Sequence, residues 1–259
     1  MKYETKKVLL TVKAYPDKCK KLGYCVCIAG ITDSDELIRL YPVSITQFNK
    51  KNSFKKFTWF TVSCERAKEK LNRKESYHIN PHSKIEILDS ISNDYNSKNA
   101  TILPLLSKSI EELKEKYSKD KTSLGIIKPE LIDFIVEKPN KDEEGIASYT
   151  QKNLFGDDIK SIDSIPYIFR YRFKCNDSRC RGHTIMCEDW ELLESWRKYE
   201  KIYGKDEGIK KIKEKFFDWM KNERDLYFYM GTYSKYPTWL IIGIYYPPKQ
   251  KNKTLFDDY

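Results

Sequence analysis

Alternation marks the first element of the chain. Val8, Leu10 and Val12 alternate with Leu9, Thr11 and Lys13 across residues 7–15, a period of two that suits an extended strand. Pro16 and Asp17 break it. Residues 24–31 are nearly all apolar, the pattern of a central strand. Residues 37–41 read as a third strand, expected to stop at Pro42, with Arg39 on the face opposite Ile38 and Leu40. A basic-aromatic stretch over 48–57 leads to a fourth strand at 58–64. Short strands separated by turns within about 65 residues predict a small antiparallel barrel or sandwich.

The middle of the chain is more mixed. Residues 84–88 alternate as a strand, and 93–99 read as a polar loop. Ser109 is placed to cap a short helix reaching Tyr117, with Glu111 and Glu112 in the first turn, where the helix dipole favours acids. Residues 133–137 form a further strand. The polar run 138–165 contains Pro139, Gly145 and Gly156 and reads as a linker or a long loop. Residues 167–173 form a strand with Arg170 and Arg172 at alternate positions. Asp189 then caps a helix to Tyr203, ended by Gly204. A second helix over about 207–221 spaces Ile209, Ile212, Phe216 and Trp219 along one face. Two apolar strands, 226–230 and 239–246, end at Pro247 and Pro248. The domain expectation is an N-terminal β domain over 1–137, a linker at 138–165, a C-terminal α+β domain over 166–248 and a tail from 249.

Composition narrows the class. Aromatics supply 14% of the residues, enough to fill a core although only 40% of the chain is hydrophobic. No run is apolar and long enough to cross a bilayer, so the expectation is a cytoplasmic protein with no membrane partner. Seven cysteines, an odd count, fit reduced thiols better than a disulfide framework. The net charge is +10, and residues 1–75 hold 17 Lys/Arg against 8 Asp/Glu, a balance of +9. A basic first third points to an anionic polymer. The competing source of this charge is a general richness in Lys, Asn, Ile and Tyr.

The densest chemistry lies between Cys175 and Glu191. Cys175, Cys180, His183 and Cys187 follow a C-x4-C-x2-H-x3-C spacing, with Gly182 placed to turn the backbone sharply. Thiolates and an imidazole in one short loop suit tetrahedral zinc. Reduced, unligated thiols are the plainer alternative. Arg179 and Arg181 make the loop a basic knob. Asp189 and Glu191 are carboxylates of the kind that hold a divalent ion for phosphodiester cleavage, although both positions already suit a helix start.

The segments Lys7–Pro16, Val26–Ile31 and Ile38–Val43 resemble a family of prokaryotic dual OB-fold-containing proteins seen around mobile elements and defence loci. The resemblance continues through Glu75–Tyr77, Cys180–His183, Asp189–Glu191, Asp225–Phe228 and 242–247. It implies OB-type barrels and a nucleic-acid role, but no particular activity, and it leaves the fourth metal ligand open. The expected fold is therefore α+β and β-rich: two small OB-like antiparallel barrels or sheets, with a helical pair near the C-terminus. The expected function is nucleic-acid binding, single strands favoured, beside a structural zinc. Arg39, Phe54, Lys55, Lys56, Arg66, Arg73, Lys74, Arg179 and Arg181 are the phosphate-side and stacking candidates, with Tyr41, Phe48, Phe57 and Tyr77 as further stackers. A metal-dependent nuclease and a non-enzymatic adaptor are the alternatives. The tail Asn252–Phe256 resembles the short peptides that dock on bacterial sliding clamps.

Overall fold

In the computed structural model, residues 3–14, 17–19, 23–44, 55–68, 73–140, 165–233 and 238–249 are described. Among the described residues strands make up 45% and helices 28%, so pairing between strands sets the architecture. The first ring uses β1 (Glu4–Lys13), β3 (Gly23–Thr32), β4 (Leu37–Ser44), β5 (Thr58–Arg66) and β6 (Ser76–Ile79). They pair in the order β1-β3-β4-β6-β5, and β5 returns to β1, which closes a five-stranded barrel. All these pairings are antiparallel except β4 with β6, where Arg39 pairs Ser76 and Leu40 pairs Tyr77 in parallel. Two short strands flank the ring: β2 (Asp17–Cys19) on β3, and β7 (Glu86–Ser90) on β5. Pro42 does not end β4, which runs on to Ser44.

Inward-facing Val8, Leu10, Val26, Ile28, Ile38, Leu40, Phe60 and Val62 fill this barrel. β1 explains why alternation gives way to a buried run. Val8 and Leu10 face the barrel, while Val12 packs on the opposite side against Ile126, Tyr229 and Tyr245 of the second half. The halves approach closely there: a Cβ on Gly243 would lie 2.9 Å from Val12 Cγ2.

The second half holds β8 (Leu106–Ser107), β9 (Leu124–Ile127), β10 (Pro129–Glu137), β11 (Ile168–Cys175), β12 (His183–Met186), β13 (Tyr227–Thr232) and β14 (Trp239–Tyr245). Its sheets run β10-β11-β12 and β14-β13-β9-β8. β9 passes through Lys128 directly into β10, and a parallel bridge, Cys187 to Ile241, joins the far ends of the two sheets. The pairings therefore trace a second ring whose strand order repeats the first, with a parallel step at the same place. Residues 124–137, expected in the N-terminal domain, pair with the C-terminal strands instead. The core here is aromatic: Phe134, Phe169, Tyr171, Phe173, Trp196, Phe216 and Phe228 are buried together.

The helices largely follow their local signals. α1 (Tyr95–Ile102) replaces the polar loop expected at 93–99; Asp94 caps it by accepting from the Ser97 amide. Its side chains show no apolar stripe, so periodicity could not reveal it. α2 (Ile110–Asp120) starts at Ser109, whose Oγ accepts from the Glu112 amide. α3 (Trp190–Tyr203) starts at Asp189 and ends at Gly204, as expected. α4 (Lys205–Lys213) continues through a π-helical segment, Glu214–Trp219, into the short α5 (Met220–Glu223). None of the described helices is long and apolar enough to cross a membrane. Cys25 is disulfide-bonded, contrary to the expectation that all thiols are reduced; Cys27, Cys64, Cys175, Cys180 and Cys187 are free. Most of the linker expected at 138–165 and the tail from Gln250 fall outside the described residues.

Candidate metal centre and basic groove

The hairpin between β11 and β12 is folded by its own backbone. Asp177 donates its amide to the Cys175 carbonyl at 2.9 Å, and Cys180 donates to the Asp177 carbonyl at 2.9 Å. Gly182 sits at φ +96°, a left-handed conformation that side chains disfavour, so the turn needs glycine there. The result places Cys175 at the end of β11, Cys180 in the loop and His183 at the start of β12. The Cys175 amide donates to Cys180 Sγ at 3.2 Å.

The fourth donor comes from far away in sequence. Glu111, in the first turn of α2, joins Cys175, Cys180 and His183, with one ligand atom from each lying within 4.8 Å of all the others. His183 Nε2 is 3.1 Å from Glu111 Oε1. That approach does not have hydrogen-bond geometry, so His183 Nε2, like Glu111 Oε2, is buried without a hydrogen bond. Buried polar atoms are rarely left so, and a cation between them satisfies both. Zinc-to-sulfur bonds of ~2.3 Å give tetrahedral edges of roughly 3.3–3.8 Å, so small side-chain adjustments would close the set on an ion. Burial, with Cys180 adding to it, pushes the Cys175 thiol up to about 12.

Cys187, expected as the fourth ligand, is not in this cluster. It is 2% exposed in the aromatic core, its amide donates to the Phe169 carbonyl at 2.8 Å, and burial raises its thiol well above the ordinary range. The three-residue spacing from His183 leads along β12 and inward. Glu111 was legible only as a helix-dipole acid, because nothing local indicates that α2 docks on the hairpin.

The expected phosphate contacts divide into two groups. Several are structural. Arg39 is 4% exposed and donates to Ser123 Oγ at 3.0 Å and to the Ser123 carbonyl at 3.1 Å. Ser123 in turn donates to Glu75, tying the barrel to β9. Arg73 is buried and reaches the Thr232 carbonyl at 3.4 Å. Lys56 is buried between Asp189, 2.8 Å away, and Glu191, 3.6 Å away. Burial alone would lower its ammonium, but those carboxylates overcome that and hold it above the ordinary lysine value. Arg179 is engaged by Asp177 and Glu115. Arg181 and Lys55 are exposed. Phe57 packs on Tyr245 with ring centroids 5.5 Å apart, and Lys98 lies over its face at 4.7 Å. Tyr41 is half-buried in β4. Phe48 and Phe54 lie outside the described residues.

The two carboxylates at the start of α3, candidates for holding a catalytic ion, are structural too. Asp189 is fully buried, and its two oxygens accept from the amides of Glu191, Leu192 and Ile244 and from Lys56. Such a carboxylate has no capacity left for a metal. Glu191 accepts from the Tyr246 hydroxyl at 3.2 Å.

Arg66, Lys74 and Tyr77 do meet. They line a cleft of about 490 Å³ between the first barrel and α2, together with Lys6 and Lys116. Leu37, Leu113 and Leu124 form its apolar floor. Lys6 and Lys116 are cations that the sequence pattern does not single out. Lys6 lies over the Tyr77 ring at 4.9 Å. Lys74 pairs with Asp120 at 2.6 Å and Lys116 with Glu112 at 2.6 Å, all four side chains partly exposed. Lys74 and Thr122 hold the Asp120 carboxyl down at about 2. Exposed pairs of this kind are worth ~0.2–1 kcal/mol, so a bound anion can displace them. Of the two acids lining the cleft, Glu36 and Glu75, the latter is already bound to Ser123 and Leu124.

Residues 106–259 match a family described as a domain of unknown function, DUF8757, and residues 4–104 match a second, DUF8758. No curated protein matches the chain. The junction of the two matches, between Pro104 and Leu106, falls just before β8, where the second half begins.

Proposed function

The chain belongs to the DUF8757 family, and since that family carries no assigned activity, we propose from the site itself that this protein binds single-stranded nucleic acid in the basic cleft. The observation that carries the reading is the convergence of Lys6, Arg66, Lys74 and Lys116 around Tyr77 above an apolar floor. Cations that track a backbone beside an aromatic ring are what single-strand recognition requires. The strand order of the first ring, with its one parallel step, supports an OB-type barrel. OB barrels bind along the second and third strands and the loop joining the fourth and fifth. Here that loop joins β5 to β6, and Arg66 and Lys74 flank it.

Lys6 covers one face of Tyr77. A cation over a ring contributes ~0.5–1 kcal/mol at an exposed site, whereas a stacked base contributes ~1–3 kcal/mol. A base therefore displaces Lys6 toward a phosphate at net gain. The metal in this reading is zinc and its role is structural, because two thiols, an imidazole and a carboxylate leave no open position for substrate.

The test is anisotropy of labelled oligonucleotides against salt. Each phosphate neutralised on a single strand contributes ~0.7 to the slope of log K against log salt. Arg66→Ala with Lys74→Ala should weaken binding and flatten the slope by about 1.4. Tyr77→Leu should weaken binding and leave the slope alone. A protein that binds no single strand at low salt refutes the proposal.

A further inference from the structure

We infer that Glu111 completes a mononuclear metal centre with Cys175, Cys180 and His183, and that the bound ion, acting through Glu111, sets the position of the helix that walls the basic cleft. The cleft half of this inference rests on the nucleic-acid reading above. Glu111 and the cleft residues Leu113 and Lys116 belong to one helix, α2. Glu111 projects to the hairpin of the second half, while Lys116, one turn further along, lines the cleft and Leu113 packs on β9 at the cleft's edge. Among the described residues no other metal-type donor set links the two sites.

The helix is held from both sides. At its start Ser109 donates to Asp177 Oδ2 at 2.7 Å, and further along Glu115 meets Arg179, so the hairpin already grips α2 at two points. The centre of that grip is the four-donor cluster, with Glu111 Oε2 and His183 Nε2 buried and unsatisfied. Two thiolates, a carboxylate and a neutral imidazole around a dication leave a net charge of −1, with the two thiol protons released to solvent. On the other face α2 has little freedom: a Cβ on Gly125 would lie 2.3 Å from Leu113 Cδ2, so Leu113 already seats directly on β9. Without the ion, the buried Glu111 and His183 atoms lack a partner at the first turn, and the helix that carries Lys116 rests on the Ser109–Asp177 and Glu115–Arg179 contacts and on Leu113 alone.

The experiment uses the full chain loaded with Zn(II) or Co(II). Cobalt bound by two thiolates gives an intense charge-transfer band, and the d–d bands report the tetrahedral set. Glu111→Gln should weaken metal binding by at least about tenfold and shift the d–d bands, whereas Cys187→Ser should leave them in place. In the same preparations Glu111→Gln should bind a labelled single-stranded oligonucleotide about 5- to 150-fold more weakly, the range of ordinary site-to-site coupling. By linkage, saturating oligonucleotide should raise the equilibrium zinc affinity, read by competition with a chelator, by the same factor by which zinc tightens oligonucleotide binding. An unchanged cobalt spectrum and metal affinity in Glu111→Gln overturn the ligand assignment. Loss of metal with unchanged oligonucleotide affinity overturns the coupling. If wild-type protein takes up no oligonucleotide, the cleft reading and the coupling fall together, while the cobalt spectrum still decides the ligand.

Discussion

Lys56→Met removes one half of the ion pair that fastens the first barrel to the start of α3. The Lys56 side chain is 8% exposed and that of Asp189 is 0% exposed, at 2.8 Å. Breaking a buried pair costs ~3–5 kcal/mol, because the surviving charge stays buried without its partner. Asp189 keeps three backbone donors, from Glu191, Leu192 and Ile244, which places the cost at the lower end, ~3 kcal/mol. For a chain of this size each kcal/mol moves Tm by ~2–4 °C, so the variant should melt about 6–12 °C below wild type. Calorimetry at neutral pH reads this directly. Adding Asp189→Asn should recover part of the loss, with a coupling energy of ~1–3 kcal/mol, since the double variant no longer buries a lone charge. The pH dependence has a definite sign. The folded ammonium is held above its unfolded value, so the pair's contribution is fully present below ~10.4, the unfolded lysine value, and is lost as pH rises beyond it. The gap between wild type and variant should stay constant from about pH 6 to 10 and narrow above that. A Tm shift below about 2 °C, or a gap that closes toward acid instead, refutes the assignment of Lys56 as a buried structural cation.

Three further outcomes follow from the same geometry. Lys13, which burial and the nearby Lys56 lower to about 8, should destabilise the fold while charged; Lys13→Met should therefore raise Tm at pH 6–7, with the gain shrinking from pH 8 upward as wild type sheds the proton, and an equal gain at every pH would contradict this. Arg39→Met should cost ~2–4 kcal/mol in urea unfolding, because Glu75 would lose the charge facing it through Ser123; a surface-like cost under ~0.5 kcal/mol would return Arg39 to the phosphate contacts. Gly182→Ala should cost ~1 kcal/mol through its positive φ alone, since the added Cβ meets nothing closer than 3.7 Å; a neutral effect would show that the loop relaxes out of that conformation.

Local chemistry determined much of this protein. Ser109, Asp189 and Gly204 mark helix boundaries within a few residues of themselves, because a cap is a contact between a side chain and the next turn. Alternation revealed β1 and a continuous apolar run β3, while β6 in its charged setting gave no such signal, and the short C-x4-C-x2-H spacing identified three donors of the candidate metal cluster, since a tight turn brings such neighbours together whatever else the chain does. Tertiary structure decided the rest. Arg39 and Lys56 look like any exposed cations in a basic segment until partners 84 and 133 residues away bury them. Nothing in the sequence of residues 124–137 says which half they join, and only pairing with β11 and β13 assigns them to the second. Glu111 reads as an ordinary first-turn acid, and Cys187 as one more step in a ligand spacing. A local pattern specifies which face of an element is apolar or charged; which distant element meets that face is a property of the packed whole, and here it put Glu111 in the candidate donor cluster where the spacing had placed Cys187.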